Sequence, residues 1–488
     1  MTDPLRIHLS LVSHTNIGKT TLARTLLMRD VGEIADRAHV TETTDDYVLA
    51  RAIDGSELVL WDTPGFGNSV QLAKRLEGRA NPVGWFLSEV WDRFTNKAFW
   101  LDQRAVRHIR DTASIVLYLV NVEEVPARSP YVPAEMKILS WIGKPVIVLL
   151  NQMGPPREAK LEAAEINVWR QSLAPYDFVK DVLPMDAFAR CWVQESALFD
   201  AIGRALPTEL QAAFSELRTV WLRGRRAIYS NSVEAIARHI RLLLCASEPV
   251  PAPSLKERAL NVAKRLGLAK SDPETRDALA DAQAALASEA ADSFCALTNK
   301  LIDVNGLSGK GVSKEILRRM KTDWHLATYS VDAASAAAIG TGLGAASGAA
   351  AAGFTVDAAS GGLSLGLGTL IGGLIGAIGG LSAAVAYNLR ADKKGTELAW
   401  SDKAISNFIL EAVLLYLAVA HFGRGRGEWT ESESPAFWKE TTLDALKEHI
   451  NDLKKIRLLD PDAMEGRLTL MIDTLIRSIF ARLYGLSV

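Results

Sequence analysis

Cysteine is scarce in this chain. Three occur in 488 residues, Cys191, Cys245 and Cys295, and no two form a CxxC pair. That set excludes a disulfide framework and fits a reduced, cytoplasmic compartment. The eight histidines form no HExxH or HxH cluster, so no transition-metal site is expected. An excess of either charge is also missing: 55 Lys and Arg stand against 57 Asp and Glu, a net charge of −2. A global basic field for nucleic acid is therefore absent, and no nucleic-acid partner is expected. Residues 1–10 lack a basic stretch followed by a long apolar one, so no signal peptide is expected there. With 23% charged and 48% apolar residues, disordered, collagen-like and coiled-coil readings of the whole chain fall away.

What is present divides the chain. Its length calls for two to four domains. Residues 1–207 alternate apolar runs with helical spacing: RIHLSLVS from Arg6, ELVLW from Glu57, SIVLYLVN from Ser114, PVIVLLN from Pro145 and FVKDVLP from Phe178. Near-continuous apolar runs suit parallel strands covered on both faces, so this part reads as an α/β domain with a mostly parallel sheet and helices on both faces. Beyond residue 207 the spacing is helical and no strand is expected. That all-α C-terminal region divides into a helical domain (208–330), an apolar Ala/Gly-rich hairpin (331–390) and a further helical region (391–488). Pro249, Pro251 and Pro253 mark a break inside the first of these.

Two short stretches carry phosphate chemistry. SHTNIGKT, Ser13 to Thr20, follows the first strand and opens a helix. It fits the GxxxxGK[ST] pattern at Gly18, Lys19 and Thr20, with Ser13 in place of the first glycine. Such a loop curls backbone N–H groups round phosphates and adds the helix dipole. Lys19 would reach the β- and γ-phosphates, and Thr20 would ligate Mg²⁺. Asp62-Thr63-Pro64-Gly65 follows the strand ELVLW, 43 residues after Lys19. There Asp62 would hold Mg²⁺ through water and Gly65 would offer its N–H to the γ-phosphate; a plain turn has the same composition.

With these residues in place, the first 207 residues resemble a P-loop GTPase of the Era/TrmE branch, and the whole resembles bacterial GTPases with a C-terminal helical domain of unknown function. The resemblance implies GTP and Mg²⁺ as cofactors and a nucleotide site built from Ser13, Asn16, Ile17, Gly18, Lys19, Thr20 and Thr21. Thr43-Thr44-Asp45-Asp46-Tyr47 is similar to the branch's T-T-R-D switch I signature, which makes Thr44 a further Mg²⁺ ligand and, with Lys19 and Gly65, part of the catalytic set. Phe66 stands where Ras-like proteins carry a catalytic Gln. Some members of the branch instead use K⁺ held partly by the P-loop Asn, so Asn16 implies K⁺-stimulated hydrolysis. The base-recognition loop departs from N-K-x-D: Asn151 is kept, Gln152 replaces Lys, and Gly154 replaces the Asp that accepts two hydrogen bonds from guanine. Asp186-Ala187 stands where the branch has Ser-Ala, and Asp186 is expected to supply the lost carboxylate.

Two segments lie outside that pattern. Phe66–Thr112 is long for a switch II segment and holds Trp85, Phe86, Trp91, Phe94, Phe99 and Trp100. It reads either as an extra helix packing its own aromatic face or as a nucleotide-sensitive docking surface. Further on, Ala333–Val356 and Ala358–Leu389 contain no Asp, Glu, Lys or Arg, and only Asp357 separates them. Gly340, Gly344 and Gly348 recur every four residues, as do Gly368, Gly372, Gly376 and Gly380. This glycine zipper is a membrane-packing signature. Both arms are long enough for a bilayer core, and Arg318, Arg319 and Lys321 before them match Arg390, Lys393 and Lys394 after. The alternative is an Ala/Gly-rich hairpin buried in a soluble bundle. Ala404–Phe422, also apolar, reads as a buried core helix rather than a third span.

Together these features predict a GTP-hydrolysing switch on the cytoplasmic side of a membrane, peripheral or integral to the inner membrane through residues 333–389. Its expected partners are guanine nucleotide, a lipid bilayer or membrane protein, and a second copy. The rival readings are a nucleotide-sensing scaffold with little turnover and a dynamin-like membrane-remodelling GTPase.

Overall fold

Five apolar runs form five strands of one sheet because each carries side chains for both of its faces. The computed structural model describes residues 4–15, 17–28, 45–88, 97–124, 126–153, 159–185, 192–250, 273–307, 387–392, 395–421 and 436–485. Strands β1 (Arg6–Ser13), β2 (Asp45–Arg51), β3 (Glu57–Asp62), β4 (Ile115–Asn121), β5 (Val146–Asn151) and β6 (Val179–Pro184) form a six-stranded sheet of order β2-β3-β1-β4-β5-β6. All neighbours are parallel except β2, which runs antiparallel to β3 at the edge.

The period of two is visible in the central strands. Ile115, Leu117 and Leu119 face one apolar layer, with Ile147 and Leu149 beside them. Val116, Tyr118 and Val120 face the other, with Val146, Val148 and Leu150. Helices cover both faces: α1 (Lys19–Leu27), α2 (Ser69–Leu76), α3 (Pro82–Ser88), α4 (Lys97–Asp111), α5 (Tyr131–Ile142), α6 (Ala159–Leu173) and α7 (Trp192–Ala205). Among the described residues the long segment after Gly65 thus holds three helices. Phe86 is fully buried there, and Trp85 and Phe99 pack partly buried against the same layer. Trp91 and Phe94 lie outside the described residues.

Helix α8 (Thr208–Cys245) joins the two halves. Its 38 residues span about 57 Å at 1.5 Å per residue. Phe214, Leu217 and Trp221 belong to the α/β core, whereas Tyr229 to Leu244 belong to the core of the helical region. That second core also draws on α9 (Pro273–Val304), α10 (Asp402–Ala420), α11 (Ala436–Lys447), α12 (Ile450–Ile456) and α13 (Pro461–Tyr484).

The stretch similar to switch I runs into structure: Asp45–Tyr47 begin the antiparallel edge strand β2. The structure corrects the sequence reading in two places. The region past residue 207 is helical in its bulk, yet it also holds a three-stranded antiparallel sheet: β7 (Ser247–Val250), β9 (Gly395–Trp400) and β8 (Tyr387–Asp392). β7 is an edge strand, the position that tolerates Pro249. Tyr387–Leu389, counted into the second apolar arm, lie in β8; the rest of the zipper, 333–386, is outside the described residues. Residues 404–420 of the apolar segment lie in α10. Among the described residues it is the one helix long and apolar enough to cross a membrane, and 67% of its most apolar stretch is buried inside the protein. Ser401 caps it, accepting from the Ala404 N–H at 3.1 Å.

Candidate functional site

The sheet order brings the phosphate-binding stretches together. β1 sits between β3 and β4, so the chain leaves it in opposite directions, and ligands bind such folds at the carboxyl ends around that switch point. In the parallel β1–β3 register Leu11 lies opposite Asp62, which sets the loop after β1 beside the turn after β3. Thr63 Oγ1 donates to Leu11 O at 2.6 Å, and Phe66 N–H donates to Ser13 O at 2.9 Å.

Lys19 and Thr20 open α1, preceded by Gly18 with φ +97°. Only glycine holds that angle without strain. A Cβ at Gly18 would also lie 2.7 Å from Asn151 Nδ2. Lys19 Nζ donates to Ser13 Oγ at 3.0 Å, so the residue replacing the first glycine of the pattern holds the lysine. Ser13 Oγ in turn donates to His14 O at 2.5 Å. Burial pulls the Lys19 ammonium below its usual range, against the opposing pull of Asp62 and Glu135. Gly65 rests on this group: a Cβ there would meet Lys19 Nζ at 2.8 Å and Thr15 Cα at 3.0 Å.

Thr20 Oγ1 donates to Asp62 Oδ2 at 2.5 Å. Asp62 is 1% exposed, and its other oxygen, Oδ1, is buried without a hydrogen-bond partner. Burial pushes its carboxyl up, offset by Lys19 and the Thr20 bond, with Asp45 adding to the rise. An orphaned carboxylate oxygen beside a threonine hydroxyl is the donor set of a hard, oxygen-loving cation. The residues present therefore fit Mg²⁺.

The base-recognition strand end is tied to the same loop. Asn151 is fully buried and donates from Nδ2 to Ile17 O at 2.6 Å. Gln152 has φ +58°; among the described residues only Met28 is another non-glycine with positive φ. Thr21 is buried in α1, its carbonyl accepting from Thr25 Oγ1 at 3.0 Å. Asn16, Thr44, Gly154, Asp186 and Ala187 lie outside the described residues.

Sequence reasoning missed two buried acids behind these loops. Glu135 on α5 is fully buried, accepting from Tyr118 OH at 2.7 Å and bonded to His14 Nδ1 at 2.9 Å. The His14 ring stacks on Tyr131, whose OH donates to Glu124 at 2.6 Å. Asp102 on α4 is also fully buried and accepts from the Gly67 N–H at 2.8 Å and the Asn68 N–H at 3.3 Å. Burial pushes its carboxyl up to about 7, against those two bonds. The available signal was periodicity: each acid sits on the apolar stripe of its helix, Glu135 among Val132, Met136 and Leu139, and Asp102 among Leu101, Ala105 and Val106.

On α8, Arg223, Arg225 and Arg226 differ in burial. Arg223 and Arg226 are exposed, while Arg225 is buried, donating to Leu26 O at the end of α1 at 2.8 Å and pairing with Glu195 of α7 at 2.8 Å.

Comparison with known proteins finds two family matches along the chain. Residues 8–152 match the family described as 50S ribosome-binding GTPase. Residues 179–458 match a domain of unknown function (DUF3482). That second match begins at β6, so its boundary cuts through the six-stranded sheet. No curated protein matches the chain. Among solved structures, an Era variant from Aquifex aeolicus bound to GDP and AlF4⁻ aligns at 19% identity over 42% of this chain and 57% of that one, with a TM-score of 0.30. Era in complex with MgGDPNP and a segment of 16S ribosomal RNA aligns at 18% identity over 42% and 58%, with a TM-score of 0.30. A bacterial selenocysteine-specific elongation factor aligns at 16% identity over 41% and 28%, with a TM-score of 0.25. The chain thus spans less than two thirds of each of these proteins. Because the second family model covers more than half of the sequence, the chain belongs to the DUF3482 family, and its N-terminal part matches the 50S ribosome-binding GTPase family over residues 8–152.

Proposed function

We propose that the protein binds and hydrolyses GTP with Mg²⁺ as a molecular switch in a membrane-associated process. The observation that carries the nucleotide reading is the convergence of Lys19, Thr20, Asp62 and Gly65 at the carboxyl ends of β1 and β3. In this reading Lys19 and the N–H groups opening α1 bind the phosphates. Thr20 and Asp62 hold Mg²⁺, which supplies charge neutralisation between the β- and γ-phosphates when bound. Gly65 and Thr44 would contact the γ-phosphate, so its presence or loss changes where the two switch segments sit. Ser13, Ile17, Gly18, Thr21, Asn151 and Gln152 frame the nucleotide, while Asp186 and Ala187 complete the base pocket. A K⁺ ion at Asn16 would add positive charge where no Gln is available. Hydrolysis is expected to be Mg²⁺-dependent, faster in K⁺ than in Na⁺, and lost in Lys19→Ala. Equal rates in the two salts would remove the K⁺ role without touching the rest.

The membrane part rests on the glycine zipper of residues 333–389, and flotation of the full chain with liposomes tests it. Recovery in the soluble fraction whatever nucleotide is added would favour the buried hairpin. The description of the matching GTPase family favours a second reading, ribosome contact. Co-sedimentation with 50S subunits in a nucleotide-dependent manner would establish that reading instead. A second copy as partner is tested by the mass of the nucleotide-bound chain in solution.

A further inference from the structure

The loop after Gly65 is tied down at three places. Thr63 Oγ1 reaches Leu11 O, Phe66 N–H reaches Ser13 O, and the Gly67 and Asn68 N–H groups reach the two oxygens of Asp102. Phe66 is fully buried beneath it with Val12, Leu72 and Phe86. In this docked arrangement Gly65 lies on the P-loop so closely that a single added carbon would collide with Lys19 Nζ at 2.8 Å. The side of Gly65 that faces Lys19 thus has no room for one further heavy atom, and so none for a phosphoryl group. A diphosphate held by the P-loop leaves Gly65 where it is, whereas a γ-phosphate bridging Lys19 and the Gly65 N–H displaces it.

We infer that Asp102 is the positioning residue that holds this loop docked, and so sets how strongly the site discriminates a nucleoside triphosphate from a diphosphate. The inference rests on the nucleotide reading above. Of the loop's fastenings, the Asp102 pair is the one made by a side chain from outside the β1 and β3 loops. Its helix leads directly into β4, at the centre of the sheet, which gives the anchor a fixed base. Asn68, which precedes α2, makes no side-chain cap bond of its own, so Asp102 is the acceptor that orders the entry to that helix. The burial that lifts the Asp102 carboxyl to about 7 marks the two N–H bonds as its compensation. Glu135 on α5 adds to that rise and His14 on the P-loop opposes it.

The test is the affinity of the full chain for fluorescent GDP and GDPNP with Mg²⁺, in wild type, Asp102→Ala, Asp102→Asn and Lys19→Ala. Asp102→Ala should tighten GDPNP relative to GDP by about tenfold, the equivalent of about 1.4 kcal/mol. Asp102→Asn keeps an acceptor for the Gly67 N–H and should stay within about twofold of wild type. An unchanged ratio in Asp102→Ala, or an equal loss of both nucleotides, overturns the inference. A wild-type chain that binds neither nucleotide, like Lys19→Ala, overturns the nucleotide reading and this inference with it. A measurement on wild type alone covers the case in which Asp102→Ala does not fold: the Gly67 and Asn68 amides should exchange hydrogen at least tenfold faster with GDPNP than with GDP, and equal protection contradicts the proposal.

Discussion

Gly18 is the residue on which the site's geometry turns. Its φ of +97° ends the P-loop, and its missing Cβ leaves space for the Asn151 amide that ties the base loop to Ile17. Gly18→Ala should cost about 1–3 kcal/mol of stability from backbone strain alone. It should also weaken nucleotide binding at least tenfold, measured by denaturant unfolding and by titration. Wild-type affinity in a folded Gly18→Ala chain would mean that Asn151 and Gly18 do not shape the pocket. Gly18, Lys19, Thr20 and Asp62 were legible in the sequence because a strand, a glycine and a helix start fix their relation locally. Asp102 and Glu135 were not. Each looks like an ordinary helical acid until the fold brings α4 against the start of α2, or α5 against His14, over separations of 35 and 121 residues.

At the level of elements, two buried histidines make the helical region acid-sensitive. His239 on α8 is bonded to Ser293 Oγ at 2.7 Å, and burial pushes it down to about 3. His421, at the end of α10, is bonded to Leu417 O and to Tyr484 OH, and burial pushes it down to about 4. Both stay neutral in the fold while the unfolded chain takes up protons near pH 6.5. The unfolded state then binds more protons, so stability falls as pH drops below about 6.5 and continues to fall toward pH 4. His239→Gln should reduce the loss of melting temperature between pH 7 and pH 5; an identical loss would show that His239 titrates normally. The strands of the α/β half were legible because burial on both faces makes each an unbroken apolar run. β2 was not, since an edge strand with DDYVLAR has one half-polar face. The β7-β9-β8 sheet escaped for a related reason: SEPV, GTELAW and YNLRAD carry charges and a proline, and tertiary pairing rather than pattern makes them strands.

Across the whole molecule, α8 is the beam that joins the nucleotide-binding half to the helical half. Its first half is sealed to the α/β core by Trp221, stacked on Phe199 at 4.0 Å. At the boundary Arg225 grips the end of the P-loop helix through Leu26 O and pairs with Glu195. Arg225→Ala leaves Glu195 buried without its cation and should cost about 3–5 kcal/mol. Arg225→Met with Glu195→Leu should recover most of that loss in a double-mutant cycle. Additive losses would show that the two side chains do not act as a pair. This junction was invisible in the sequence, where nothing in the run Arg223-Gly224-Arg225-Arg226 distinguishes the one buried arginine from its exposed neighbours.

The central claim is that the convergence of Lys19, Thr20, Asp62 and Gly65 makes a guanine-nucleotide site even though Gly154 stands where the base-reading Asp belongs. Calorimetric titration of the full chain with GTP and with ATP, in Mg²⁺ and beside Lys19→Ala, tests it most directly. The account predicts GTP binding at least tenfold tighter than ATP binding and lost in Lys19→Ala. Equal affinity for the two nucleotides, or no binding of either, would contradict it.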